Sequence, residues 1–204
     1  MDVSLPADHS RARDPQGMLS VIIATCDSER ALVPTLAALV PGATAGLISK
    51  VVLADGGSRD DTANVAEVAG CNFMPLEGPL GRRLKAAAAA ARASWLLFLR
   101  PGAVPDTPWV GEVRSFVERR SSPARAAVFR RAAPAQAGLR EAFALFVAAL
   151  GAAPRPEQGL IIANDFYREL GGHAESAADP ETNLIRRIGR RQMITLSTGA
   201  FHVR

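Results

Sequence analysis

The chain has 204 residues, of which 48% are hydrophobic and 22% charged, a composition that excludes an intrinsically disordered protein and suits one domain with a substantial core. Its two cysteines, Cys26 and Cys71, are too few for a disulfide framework and lack the spacing of metal ligands. The formal charge of +4 comes from arginine, because Lys50 and Lys85 are the only lysines. Arginine suits an anionic ligand, but it suits an ordinary solvated surface as well.

Residues 1–17 are polar and mixed in charge, which predicts a flexible tail and no signal peptide. The longest apolar stretch, residues 86–99, is interrupted by Arg92 and is too short to cross a bilayer. We therefore expect a cytoplasmic protein with no integral membrane segment. Aromatic residues make up only 5% of the chain, which argues against a nucleic-acid-binding surface.

The first half of the chain alternates between two kinds of segment. Apolar runs followed by turn residues predict buried strands at 19–25, 50–54, 72–75 and 95–99. Helical spacing, capping residues or alanine content predict helices at 31–40, 60–69 and 82–93, the first ended by Pro41-Gly42 and the second by Gly70. Strands that alternate with helices indicate a parallel, doubly wound sheet with helices on both faces, a three-layer α/β/α fold.

The pattern changes after Pro108. Helices are predicted at 110–119, 139–150, 165–170 and 182–188, and strands at 126–130, 159–162 and 193–196. The helix at 139–150 is amphipathic or buried, which favours core packing, with a membrane-surface or homodimer contact as alternatives. No repeat or long linker divides the chain, so residues 18–204 are predicted to form a single domain.

Ligands of open parallel sheets bind beyond the carboxyl ends of the strands. This rule selects the loops at 25–29, 55–58, 100–103 and 157–159. Asp55 ends an apolar strand and precedes Gly56-Gly57, which allow close backbone approach. Its carboxylate could accept hydrogen bonds from a base or ribose, or it could form a turn with Ser58.

Several segments, in this order and spacing, resemble family-2 glycosyltransferases. They read LSVIIAT at 19–25, VVLADGGSRDDT at 51–62, GR at 81–82, LLFL at 96–99, EQGLII at 157–162, ELGG at 169–172 and LIRRIGRR at 184–191. The closest likeness is to a short bacterial subgroup without added membrane helices. The resemblance implies a GT-A-like fold with a Rossmann-like nucleotide-binding half at 18–108 and an acceptor half at 109–204. Its activity would be sugar transfer from a nucleotide-diphosphate donor to a hydroxyl acceptor.

The resemblance also implies roles for individual residues. Asp55 would hold the uracil or ribose, beside Gly56, and the loop at Thr25 to Asp27 would wrap the base, with Arg82 nearby. His202 lies where the family often has a basic residue that touches diphosphate. Glu157 and Gln158 match a stretch that lines the acceptor pocket.

The chain departs from the family after its fourth strand. An Asp-x-Asp motif normally holds Mg²⁺ or Mn²⁺ there, but residues 99–103 read LRPGA, with no carboxylate before Asp106. The family thus implies a divalent metal whose acidic ligand is missing. Arg100 could supply the positive charge beside the diphosphate instead, or it could be a solvent-exposed remnant of a decayed site.

The acidic pair that supplies the general base in the family falls on Pro180-Glu181, so Glu181, or Asp179 just before it, would act as base. Both could equally be structural, with Asp179 capping the helix and Glu181 stabilising its N-terminal end. These departures leave two functions open. One is a glycosyltransferase, with or without a metal requirement; the other is an inactive relative that binds a nucleotide or a partner protein.

Overall fold

The computed structural model describes residues 18–119, 124–132 and 154–203. The strands of this part of the chain are β1 Leu19–Thr25, β2 Ile48–Asp55, β3 Asn72–Pro75, β4 Trp95–Leu99, β5 Ala103–Pro105, β6 Ala126–Arg131, β7 Leu160–Ala163 and β8 Met193–His202. The helices are α1 Glu29–Thr44, α2 Thr62–Val68, α3 Leu80–Ala89, α4 Trp109–Glu118, α5 Asn164–Glu169 and α6 Pro180–Ile188. Two short 3-10 turns cover Pro156–Gln158 and Arg190–Gln192.

All eight strands form one sheet in the order β3-β2-β1-β4-β7-β6-β8-β5. The first four are parallel to one another, and β7 runs antiparallel to both β4 and β6. At the far side β8 is parallel to β6, and β5 is antiparallel to β8. Because β7 lies between β4 and β6 and is antiparallel to both, β4 and β6 run in the same direction and end at the same edge of the sheet. Loops from both halves of the chain therefore meet at that edge.

Helices cover both faces of the sheet, which confirms the predicted three-layer, single-domain α/β fold. Helices α1 and α4 bury Leu32, Trp109 and Val113 against one face. Helices α3, α5 and α6 bury Leu84 and Leu184, among others, against the opposite face. Burial of this apolar surface is the main stabilising contribution to the fold.

Helix α1 does not end at Pro41-Gly42 as predicted, but continues to Thr44. Gly42 packs against the buried ring of Trp109, with no room for a Cβ atom, and the Trp109 indole N–H donates to the Ala38 carbonyl at 3.0 Å. The prediction was wrong because this contact between α1 and α4 supports the last turn of the helix. The helix propensities of the residues in α1 do not indicate this contact.

Two further boundaries differ from prediction. Helix α3 ends at Ala89 rather than at Ala93, since alanine content favours a helix but does not specify where it stops. Strand β8 runs on past Leu196 to His202 through an irregular stretch. There the Glu112 carboxylate accepts hydrogen bonds from the backbone N–H groups of Ser197 and Thr198 at 2.6 and 2.7 Å. A side chain from α4 thus satisfies donors that the strand pairing leaves free.

Strand β5, which pairs with the end of β8, was not predicted, because three residues ending in a proline carry no strand pattern. The predicted tail at 1–17 and the predicted helix at 139–150 lie outside the described residues. No helix in the described ranges is long and apolar enough to cross a membrane.

Candidate functional site

The carboxyl ends of β1 and β2 are held together by the Asp55 carboxylate. Asp55 is only 2% exposed and accepts four hydrogen bonds. Its Oδ1 atom accepts from the hydroxyls of Thr25 at 2.8 Å and Ser58 at 2.5 Å, and its Oδ2 atom accepts from the N–H groups of Gly57 and Ser58 at 2.9 and 2.8 Å. Burial raises the Asp55 pKa, but these hydrogen bonds outweigh it and the net pKa is lowered. Asp55 is therefore an ionised anchor of the loop that follows β2.

The loop after β1 is bonded to the loop after β2. Asp27 has a positive φ of 46°, its Oδ1 accepts from the Arg59 N–H at 2.6 Å, and its own N–H donates to the Ser58 hydroxyl at 2.9 Å. Two residues further along the chain, the Glu29 N–H donates to Asp60 Oδ2 at 2.9 Å. These bonds form a continuous wall at the edge of the sheet, with the Asp27 side chain exposed.

Arg83, which was not predicted as a site residue, lies against this wall. Its Nη1 donates to the carbonyls of Thr25 at 3.0 Å and Ala54 at 2.9 Å, and its guanidinium occupies the space where Gly56 has no Cβ. The adjacent Arg82, chosen from the family resemblance, is exposed on the first turn of α3. Neighbouring helical residues point about 100° apart, so only one of them can face the strand ends. Gly81, Leu84 and Ala87 mark the buried face of α3. Arg83 lies closer to that face than Arg82 does, so the helical spacing would have favoured Arg83 as the site residue.

A cleft of about 380 Å³ opens between this wall and residues from the second half of the chain, Glu181 and His202. We use "the cleft" for the space lined by Ala24, Asp27, Ser28, Ala31, Leu80, Leu84, Leu99, Arg100, Pro101, Glu181 and His202. Four of these side chains, Asp27, Arg100, Glu181 and His202, were predicted site residues. The structure therefore brings predicted nucleotide, diphosphate and catalytic residues to one cavity.

Arg100, at the end of β4, links two carboxylates from the second half of the chain. Its Nε and Nη2 donate to Glu181 Oε2 at 2.8 and 2.5 Å, and its Nη1 donates to Glu157 Oε1 at 2.9 Å. We call this group of three residues the Arg100 bridge. It joins the β4 loop, the 3-10 turn before β7 and the start of α6. Arg100 is therefore paired with two carboxylates rather than free in solvent.

Glu181 is only 9% exposed, and burial raises its pKa above the usual range although the bonds from Arg100 oppose that rise. The nearby Asp179 and Glu157 charges raise it further. A carboxylate with a raised pKa is a stronger proton acceptor, which is what a general base needs. The position of Glu181 on the cleft and its raised pKa both suit such a role.

Asp179 has the geometry of a helix cap. Its Oδ1 accepts from the Thr182 N–H at 3.0 Å, at the N-terminus of α6, and this hydrogen bonding lowers its pKa. Gln158 is also used internally, since its Nε2 donates to the Phe129 carbonyl at 2.7 Å and its Oε1 accepts from the Arg155 N–H at 2.9 Å. Glu157 differs from both, because its carboxylate is half-exposed and reaches Arg100.

The loop after β4, which carries Arg100, is held in place by hydrogen bonds from Gly102. The Gly102 N–H donates to the Ala31 carbonyl and to the Thr35 hydroxyl, both at 2.8 Å. Gly102 has a φ of +91°, and a Cβ there would collide with the Val203 carbonyl and the His202 ring. The backbone thus holds Arg100 at the mouth of the cleft, with His202 beside the same loop.

The residues at this edge do not fit a divalent metal. The loop at 100–102 offers no carboxylate, and the Asp106 side chain lies against Gly199 of β8. In the described ranges no group of three His, Cys, Asp or Glu side chains is arranged to hold a metal ion. The carboxylates nearest the cleft instead surround a guanidinium.

No protein-family model matches the sequence, and no curated protein is significantly similar to it. Solved structures are similar in fold. Staphylococcus aureus TarS (residues 1–349) has 15% identity and a TM-score of 0.67, over 91% of this chain and 60% of that one. The S. aureus TarS complex with UDP has 16% identity and a TM-score of 0.66, over 90% and 60%. Measured against TarS, this chain spans less than two thirds of the length.

Glucosyl-3-phosphoglycerate synthase from Mycobacterium tuberculosis, in complex with Mn²⁺, UDP and phosphoglyceric acid, has 15% identity and a TM-score of 0.63, over 87% of this chain and 67% of that one. These structures are family-2 glycosyltransferases with a GT-A-type fold. The predicted resemblance is therefore confirmed at the level of the fold, which this chain shares.

Proposed function

We propose that this protein is an inverting glycosyltransferase that moves a sugar from a nucleotide-diphosphate donor to a hydroxyl acceptor. The observation that carries the proposal is the convergence of Arg100, Glu181 and His202 on one cleft beyond the parallel strands. In open α/β sheets this edge is the usual ligand site. The fold supports it, because solved structures with this fold contain UDP.

The nucleoside end of the donor is proposed to lie along the wall formed by the loops after β1 and β2. Asp27 and the backbone at Gly56 are exposed there and can meet a base or ribose. Thr25 and Asp55 contribute by holding the wall in shape, since the four hydrogen bonds of Asp55 are internal. Arg82 is exposed on α3 and is proposed to act at long range on the anionic donor.

In the proposed reaction, Glu181 accepts the proton of the acceptor hydroxyl while the hydroxyl oxygen forms a bond to the anomeric carbon. The bond from that carbon to the diphosphate breaks, and the nucleoside diphosphate leaves with the electron pair. Arg100 and His202 stabilise the growing negative charge on the diphosphate. Attack from the side opposite the leaving group inverts the anomeric centre. Glu157, half-exposed beside Arg100, is proposed to contact the acceptor, with Gln158 holding its turn in place.

A second candidate is a protein that binds a nucleotide without turnover. It is favoured by one specific observation: Glu181 and Glu157 already saturate much of the Arg100 guanidinium, and no acidic motif follows β4. For this candidate Arg100 and Glu181 would form a structural bridge. Asp179 would then serve only as the cap of α6.

Titration calorimetry with UDP and GDP, each with and without Mn²⁺, separates these candidates when it is combined with a turnover assay on the matching nucleotide sugars. We expect binding that does not require Mn²⁺, together with release of nucleoside diphosphate that Glu181→Gln abolishes. Binding with the same slow release in wild type and in Glu181→Gln would favour the non-catalytic candidate. Absence of binding to either nucleotide would contradict both.

A further inference from the structure

The Arg100 bridge is firmly bonded but open to solvent. Arg100 makes three hydrogen bonds of 2.5 to 2.9 Å, two of them to a single oxygen of Glu181. Its side chain is nevertheless 34% exposed, and Glu157 is 48% exposed. An anion that enters the cleft can therefore reach the guanidinium without opening the core.

The bridge has more negative than positive charge. Arg100 faces Glu181 and Glu157 directly, and Asp179 lies close enough to act on both Arg100 and Glu181. Across the cleft the other titratable groups are Asp27 and His202. A diphosphate that bound here with the bridge intact would be repelled by three nearby carboxylates. The two N–H groups that the carboxylates leave unused offer it a weak contact, and it gains the full bidentate contact when the guanidinium turns from the carboxylates towards it.

We propose that the donor diphosphate and Glu181 compete for Arg100, so that donor binding moves the guanidinium off Glu181 and leaves this carboxylate free to act on the acceptor. The inference rests on the proposed function and adds an order to it, with the donor bound before the base is free. In the absence of donor, Arg100 holds the base in an ion pair. Arg100 is thus a positioning residue for Glu181 as well as a ligand of the diphosphate.

The exchange couples donor binding to proton uptake. Once Arg100 has turned away, Glu181 keeps the burial and the two neighbouring carboxylates that raise its pKa, but loses the contact that lowers it. Its pKa therefore rises on donor binding, so the carboxylate takes a proton from the buffer at a pH near or below that pKa, and it stays ionised, as a base must be, at a pH above it. By linkage, donor affinity falls as the pH rises, because deprotonated Glu181 competes better for Arg100.

Calorimetry with UDP-glucose and GDP-mannose tests the exchange, since the phosphates of these donors have no proton that titrates near neutral pH. Two buffers with different ionisation enthalpies, compared at a series of pH values, report the protons taken up. We expect uptake by wild type and none by Glu181→Gln. We also expect Glu181→Gln to bind the donor roughly three- to tenfold more tightly, because Arg100 no longer leaves a charged partner. Glu175→Gln is the matched control, since Glu175 pairs at 3.0 Å with Lys85, outside the cleft.

Simple repulsion between Glu181 and the diphosphate would also make Glu181→Gln bind more tightly. The same substitution in an Arg100→Ala background distinguishes the two explanations, because competition requires the guanidinium and repulsion does not. We expect the gain in affinity to disappear in that background; Arg100→Gln, which is also uncharged, replaces Arg100→Ala if the latter does not fold. An equal gain in both backgrounds, or no proton uptake by wild type, would overturn the exchange while leaving donor binding intact. Failure of both wild type and Glu181→Gln to bind either donor would instead contradict the proposed function.

Discussion

Asp55→Asn tests whether the wall of the cleft depends on one carboxylate. An asparagine can keep its oxygen on the two backbone N–H groups and turn its NH₂ towards the Thr25 and Ser58 hydroxyls, which must rotate to accept from it. Four hydrogen bonds to a buried charge thereby become neutral ones, and each weakens by about 0.5–1 kcal/mol. We therefore expect the free energy of unfolding to fall by about 3 kcal/mol, a large part of the roughly 5–15 kcal/mol that is typical of a domain.

Urea denaturation followed by circular dichroism measures this loss. The matched control is Asp61→Asn, because Asp61 is exposed and its carboxylate accepts from Asn64 Nδ2; we expect a change within about 0.5 kcal/mol. Because hydrogen bonds lower the pKa of Asp55, its stabilisation is present above about pH 4, where unfolded aspartate ionises, and is lost as the pH falls. A loss below about 0.5 kcal/mol for Asp55→Asn would refute the anchor role.

Three further changes have defined outcomes. Gly102→Ala introduces a Cβ at a φ of +91° and against the Val203 carbonyl, so thermal denaturation should show a loss of about 1–3 kcal/mol, whereas a neutral effect would contradict the pinned loop. Burial lowers the pKa of His173 to about 3, so unfolding free energy should fall with decreasing pH below about 6.5, by up to about 1.4 kcal/mol per pH unit, in urea titrations. His173→Phe should remove this slope, and an unchanged slope would exclude His173 as its source. Steady-state kinetics should show kcat reduced at least about a hundredfold in Glu181→Gln, and an unchanged kcat would exclude it as the base.

The strands were the most predictable part of the fold. The bounds of β1 and β4 coincide with apolar runs in the sequence, because a strand buried on both faces must be apolar throughout and is bounded by turn residues. The bounds of β3, a half-buried edge strand, also match the prediction. Helix ends were less predictable, since α1 passes through Pro41-Gly42 by packing against Trp109. Contacts between distant segments decide such boundaries, and a single sequence does not contain them.

The candidate site was predictable at the level of loops but not of partners. The strand-end rule and the family resemblance placed Arg100, Glu181 and His202 at one edge, and the cleft contains all three. That Arg100 would bond to Glu181 and Glu157 was not predicted, because these residues are far apart in the chain and meet only through the sheet order. Arg83 was missed for a simpler reason. The resemblance pointed to the neighbouring Arg82, and the two differ only in the direction in which their side chains leave helix α3.

The central claim is that a nucleotide diphosphate binds with its phosphates in the cleft and its nucleoside end along the loops after β1 and β2. Amide chemical shifts of ¹⁵N-labelled protein, followed during titration with UDP and with GDP, test this most directly. The account predicts that the largest changes fall on the backbone amides at 26–29, 56–58, 100, 102 and 103, with either nucleotide. Changes confined to the opposite end of the strands, around Lys85 and Asn164, or no changes with either nucleotide, would contradict it.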